Sequence, residues 1–286
     1  MRRLLCCLFV ATPTVGFAQG DCFPPEDSNE AQAFAILAVP FAFSPANAPA
    51  AMSPWSARFS LEVSTVPNID DETATPTVCR PGKGPENTDF ASVLPRPRVH
   101  VGLPAALVIE ASWVPPIEVN GATPNLLGFA LGRSFRLGAR GMALGVRLHA
   151  TAGHIRAPIT CDEEALQDPV SECFNGTLSD DKYRPNAFGV EASVGWAMGE
   201  GRIQPYVGGG LNLLRPRFRV NFTNQFGQVD NRRVEVDLQR VVVFAGATWF
   251  PVPRFGVSGQ IYAAPSDAVI GRLALSYGGG SVSLSD

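Results

Sequence analysis

From about residue 55 onward, apolar side chains recur at every second position through most of the chain, and this period decides what it can fold into. The stretch "FGVEASVGW" is representative. Phe188, Val190, Ala192, Val194 and Trp196 fall on one face of an extended strand, and Gly189, Glu191, Ser193 and Gly195 on the other. Successive strand side chains point to opposite faces, so one face is oily and the other small and polar. No window approaches the ~20 consecutive apolar residues of a spanning helix. The longest candidate, Ala33 to Phe43, carries Pro40 in its middle. If such a chain enters a membrane, it does so as a closed barrel, where strand pairing satisfies every backbone N–H and C=O.

The same alternation marks ten segments: 55–66, 96–103, 106–115, 125–136, 141–157, 186–198, 202–222, 233–250, 254–263 and 268–277. The expected fold class is therefore all-β, a transmembrane antiparallel up-and-down β-barrel of about ten strands, with eight or twelve as alternatives. The count depends on a hairpin at Leu103-Pro104-Ala105, which Pro104 favours because it cannot donate to a central ladder. With that split the connections sort by parity. Those after odd strands include the long polar loops 67–95 and 158–185, whereas those after even strands are "PA", "LGAR", "GEG" and "PVP". An even count returns both ends of the barrel to the short-turn side. Phe135, Trp196, Trp249, Phe250, Phe255 and Tyr277 fall near that side, and Trp113 and Phe188 near the long loops. Two such girdles suit a bilayer.

The chain opens "MRRLLCCLFVATPTVGFAQG". Two arginines, a short apolar run and small residues before a cut between Ala18 and Gln19 read as a secretory signal peptide, residues 1–18. Charged residues make up 17% of the chain, below the ~25% of a soluble domain, and the only lysines are Lys83 and Lys182, both in loops. Signal peptide, charge deficit and loop asymmetry together turn the oily face outward. The net charge of −3 speaks against a nucleic-acid partner.

In these features the chain resembles bacterial outer-membrane β-barrel proteins over residues 55–277. The resemblance implies location in the bacterial outer membrane, with membrane lipid and the outer-membrane assembly machinery as partners and no cofactor. That machinery reads an aromatic at the end of the last strand in such proteins. Tyr277 fits, although residues 278–286 follow as a tail. Residues 19–54 fall outside the barrel as a linker able to plug the lumen.

With the polar face inward, Arg98, His100, Glu110, Arg147, His149, Glu191 and Arg272 line the lumen. They form either a polar path for small solutes or structural ion pairs filling a narrow interior. Cys161 and Cys173 share one loop and are the favoured disulfide. Cys22 with Cys79 follows by elimination, yet Cys22 should start on the short-turn side and Cys79 lies in the first long loop. They meet only if the N-terminal segment threads the barrel; otherwise Cys79 pairs with a cysteine of the 158–185 loop or stays free. The acidic residues of that loop lack calcium-loop spacing, so no metal is expected.

Non-enzymatic function, structural or permitting limited small-solute passage, is the leading expectation. A membrane-embedded hydrolase of protease or lipid-deacylase type is the rival, resting on Asp70-Asp71, Asp180-Asp181, or His154 with Ser171 or Ser179. The third reading is a soluble exported carrier of lipocalin-like shape.

Overall fold

The computed structural model describes residues 20–138 and 141–279. Ala18 and Gln19, with the rest of the expected signal peptide, and residues 280–286 of the expected tail lie outside these. Ten antiparallel strands close into a barrel: β1 (Ala57–Thr65), β2 (Val93–Leu103), β3 (Leu107–Val114), β4 (Thr123–Leu137), β5 (Met142–Ala157), β6 (Ala187–Trp196), β7 (Ile203–Leu214), β8 (Leu238–Val252), β9 (Phe255–Ala264) and β10 (Ala268–Gly278). Each pairs with the next in sequence, and β1 closes on β10 from Ser64↔Arg272 to Arg58↔Gly278. The turn at Pro104–Ala106 separates β2 from β3. Among the described residues no helix is long and apolar enough to cross a membrane.

The oily face of "FGVEASVGW" does look outward. Phe188 and Val190 are exposed, whereas Gly189, Glu191, Ser193 and Gly195 are buried. The pattern repeats around the wall, with Phe59, Leu61, Ile109, Phe129, Leu131, Leu148, Val243, Ile261, Leu273 and Leu275 all exposed. Trp113 and Phe188 are exposed towards the long loops, and Phe135, Trp249 and Tyr277 towards the short turns. A soluble carrier would show the reverse, with apolar groups inside.

Two of the expected strands are shorter than their alternation suggests. The segment 202–222 stops as a wall strand at Leu214, before Arg215-Pro216, and 233–250 joins the wall only at Leu238. Their tips leave the cylinder for a second layer. At the top of β5, Ile155–Ala157 pairs with the short strand Asp181–Arg184, while Met142–Thr151 pairs with β6. The sheet then continues through Arg217–Arg219 and Arg233–Glu235 to Asp21–Cys22. Gly153 sits at the branch with φ of +132°, and a Cβ there would lie 2.9 Å from Leu126 Cα. Glycine alone fits.

The ends of the barrel proper, Ala57 and Gly278, both lie at the short-turn side. The segment before it crosses back. Asp21–Cys22 docks among the long loops, α1 (Asn29–Ala38) descends from there, and a 3₁₀ turn at Val39–Phe41 leads into irregular chain. Ser28 caps α1 by accepting from Ala31 N at 3.1 Å. Lower down, Pro49 packs against Gly145 and Gly195, and Trp55 N donates to Gly102 O at 2.7 Å. The disulfides are Cys161–Cys173 and Cys22–Cys79. The second corrects the expected starting point of Cys22: the N-terminal segment threads the barrel, so Cys22 and Cys79 share the long-loop end.

Small inward residues make room for the segment and for the larger wall side chains beside them, which gives a test. A Cβ at Gly189 would press into His149 and Asn212, so Gly189→Leu is expected to cost about 1–3 kcal/mol by overpacking. Ala192→Leu, on the exposed face, should leave the urea midpoint of the folded barrel unchanged.

Candidate functional site

The inward polar residues converge on one ring at mid-height. Glu62 of β1 meets Arg98 of β2 at 2.6 Å and Arg96 at 3.7 Å. Arg98 lies 3.7 Å from Glu110 of β3. Arg147 of β5 grips Glu110 with two hydrogen bonds, 2.9 and 3.0 Å, and reaches Glu191 of β6 at 3.1 Å. His100 and His149 stand 3.6 and 3.5 Å from Glu110 and Glu191. Strand β4 lies between β3 and β5, and its inward residues Gly128, Ala130 and Gly132 are small enough for Arg147 to pass over them.

The threaded segment occupies the centre of this ring. Phe43 is fully buried, with the guanidinium carbons of Arg98, Arg147 and Arg96 at 4.2, 4.8 and 5.8 Å from its ring centre. That geometry is a threefold cation–π contact. The segment's backbone carbonyls, free of regular pairing here, are taken by the same arginines. Arg96 donates to Pro40 O at 3.0 Å, Arg98 to Ser44 O at 2.8 Å, and Arg147 to Phe43 O. Arg272 of β10 donates to Ala42 O at 3.0 Å, to Val39 O at 3.2 Å and to Ser44 Oγ. Thr151 donates to Phe41 O at 2.8 Å.

All seven residues singled out from the sequence, Arg98, His100, Glu110, Arg147, His149, Glu191 and Arg272, are thus buried against the lumen. Arg58, Glu62 and Arg96, not among those seven, occupy inward positions by the same two-residue period, and Phe43 joins them with no local pattern to announce its role. Below the ring, Gln260 donates to Pro45 O at 3.0 Å and Ser258 to Asn47 Oδ1 at 2.8 Å. A residual space of about 80 Å³ remains near Pro45 to Ala50, bordered by Arg58, His100 and Arg147.

Above the ring the interior turns apolar. Phe34 and Phe41 of the threaded segment pack with Tyr183 and Phe218 of the second layer. The long loops are tied over this core. Arg80 contacts Glu86 at 3.1 Å, Glu172, and Asp230 at 3.8 Å, joining three loops. Burial pushes the Glu86 carboxyl up and the Lys83 ammonium down, although the two meet at 2.7 Å. Glu30 accepts from Val78 N and Cys79 N, both at 2.8 Å. Burial works to raise its pKa, but the backbone donors of Cys79 and Val78 prevail and hold it below the usual carboxylate range.

Several of the groups that would build a hydrolase are bound up in other contacts. Asp70 caps the short helix α2 (Asp71–Ala74) by accepting from Thr73 N at 2.9 Å. Ser179 donates to Asp181 at 2.8 Å, and Asp181 accepts from Thr160 N at 2.6 Å and Asn221 N at 2.8 Å. Ser171 accepts from Cys173 N at 3.1 Å. His154 lies on the β4–β5 ladder opposite Asn125. Arg217 pairs with Glu235 at 3.0 Å and Asp237 at 2.7 Å. No cluster able to hold a metal occurs among the described residues.

The chain matches no protein-family model and no curated protein. Among solved structures it is similar to Ail, the attachment invasion locus protein of Yersinia pestis, at 12% identity over 79% of this chain and 99% of that one, with a TM-score of 0.32. The outer membrane protease OmpT from Escherichia coli is similar at 10% identity over 83% and 98%, with a TM-score of 0.40. The toluene transporter TodX of P. putida is similar at 11% identity over 77% and 67%, with a TM-score of 0.31.

Two measurements probe the ring and the loop ties. Glu110→Ala leaves Arg147 short of its bidentate partner, and loss of one member of a buried pair costs about 3–5 kcal/mol; urea titration of the folded barrel should show it. Glu30 has a folded pKa below its unfolded value, so its contribution is present above the ordinary carboxylate range and lost as pH falls through the folded value. The urea midpoint should therefore drop less between pH 6 and pH 3 in Glu30→Gln than in wild type.

Proposed function

We propose that this chain is a bacterial outer-membrane barrel with a structural, non-enzymatic role, its lumen kept filled by its own residues 20–56. The disulfide-tied long loops then form the face it presents outside the cell. The observation that carries this reading is the transfer of the segment's carbonyls from Val39 to Ser44 onto Arg96, Arg98, Arg147 and Arg272 of the wall. Withdrawing the segment would strand those carbonyls and several buried guanidiniums together, each an expensive loss. The seven lumen residues serve, on this reading, to seat a plug. They do not line a solute path.

The membrane placement rests on sidedness. Exposed Leu, Ile, Val and Phe form a continuous outer belt while the charged groups face inward, the arrangement that hydrocarbon outside and protein inside both favour. Membrane lipid is then the barrel's main partner. The last strand, ending beside Tyr277, supplies the aromatic signal for the outer-membrane assembly machinery.

The decisive experiment is a planar-bilayer recording of the mature chain with its disulfides intact. No steady current is expected above that of the bare membrane. Discrete open-channel events in the wild-type protein would overturn the filled-lumen reading, and a mature chain that stays monomeric in water without detergent would overturn the membrane placement.

A further inference from the structure

The wall is not laddered to its full height everywhere. Pairing of β2 with β3 runs from Leu103↔Leu107 beside the tight turn to Arg98↔Ser112 and ends there. Strand β2 continues to Val93, paired over Val93–Pro97 with β1. The sequence supplies the cause. Pro95 and Pro97 have no backbone N–H, and residues two apart in a strand direct their backbone groups to the same neighbour. Pairing with β1 persists past both, so the missing donors fall on the β3 side. Strand β3 ends at Val114 and is followed by Pro115 and Pro116, a second pair without donors. The nearby β4–β5 ladder, by contrast, is continuous from Leu137↔Met142 to Thr123↔Arg156.

Behind this seam lies a cavity of about 200 Å³. Leu94 and Val114 border it from the two strands, Leu37 and Phe41 from the threaded segment, and Phe90 and Ile159 from the loops. Exposed Val93 and Ile117 stand at its edge. Water is a poor occupant, since it requires two to four polar partners, whereas an engineered apolar cavity of about 150 Å³ in another protein stays dry and takes up benzene.

We propose that this cavity binds an uncharged hydrocarbon group about the size of one or two aromatic rings, admitted sideways from the membrane through the proline-flanked β2–β3 seam. The proposal goes beyond the filled-lumen reading and takes from it only that the outer belt meets lipid. The lumen axis stays closed while the wall takes up its guest from the side. A free apolar solute and the end of a lipid acyl chain share this chemistry.

The test uses the mature chain with both disulfides in phospholipid nanodiscs, titrated with naphthalene and read by fluorescence against empty nanodiscs. One saturable site per chain is expected. Leu94→Trp on β2 and Ala122→Phe in the turn just before β4, both lining the cavity, fill it from different sides and should each weaken binding at least about tenfold, while Val170→Trp on an exposed loop leaves it unchanged. Replacing Pro95 and Pro97 together by Val should slow uptake several-fold with little change in affinity. Mass spectrometry of the detergent-purified protein separates the sources: a lipid retained by wild type and lost in Leu94→Trp assigns the site to an acyl chain, and naphthalene binding without retained lipid assigns it to a free solute. Uptake no different from empty nanodiscs with no retained lipid, or affinity indifferent to both filling variants, would overturn the site. An unchanged uptake rate in the double proline variant would overturn the lateral route. Failure of the lipid-facing reading registers separately, as a chain that does not incorporate into nanodiscs.

Discussion

Irregular backbone deep inside a narrow barrel needs hydrogen-bond donors, and in this protein arginine provides them. Between Val39 and Ser44 the threaded segment has left its helix and joins no sheet. Val39 O and Ala42 O each accept one bond from within the segment, but the carbonyls of Pro40, Phe41, Phe43 and Ser44 would be orphaned if the wall were apolar, or competed for by water if the lumen were open. Four guanidiniums from three strands meet them instead. Each arginine has several donors in a rigid fork, so Arg98 and Arg147 can hold a carboxylate and a carbonyl of the segment together.

This division of labour explains the charge balance inside. Arg58, Arg96, Arg98, Arg147 and Arg272 are buried, and among the described residues Glu62, Glu110 and Glu191 are the acidic partners at the ring. Carboxylates alone leave an excess of cations. The negative ends of the carbonyl dipoles and the face of Phe43 take up the remainder. Small residues on β4 and β6 serve the same end, because a bulky side chain at Gly128 would meet Phe43, whose ring lies 3.1 Å from where its Cβ would stand.

Most of the wall was legible in the sequence. A two-residue period over ten segments requires one oily face, and the burial of Glu191 between exposed Val190 and Ala192 is that period realised. The same rule placed Arg98, Glu110, Arg147 and Glu191 inward, and it would have placed Glu62 and Arg96 had it been carried to the ends of β1 and β2. What alternation could not convey was where strands leave the cylinder. Residues 215–222 and 233–237 keep an extended, alternating character but pair in a second layer, because Pro216 interrupts the wall ladder. The course of residues 20–56 was equally hidden locally. Its one long-range marker was a cysteine, Cys22, whose partner Cys79 belongs to the first long loop.

The Cys22–Cys79 bond and the continuity of the chain through Ser56 into β1 anchor the threaded segment at both ends. The cylinder is sealed by its first and last strands, β1 and β10. Once that cystine has formed, a covalent attachment blocks each exit and the segment can no longer slip out of the closed cylinder from either side. The plug is thereby latched, and the latch is a redox one: reduction of a single bond frees the end that lies among the long loops.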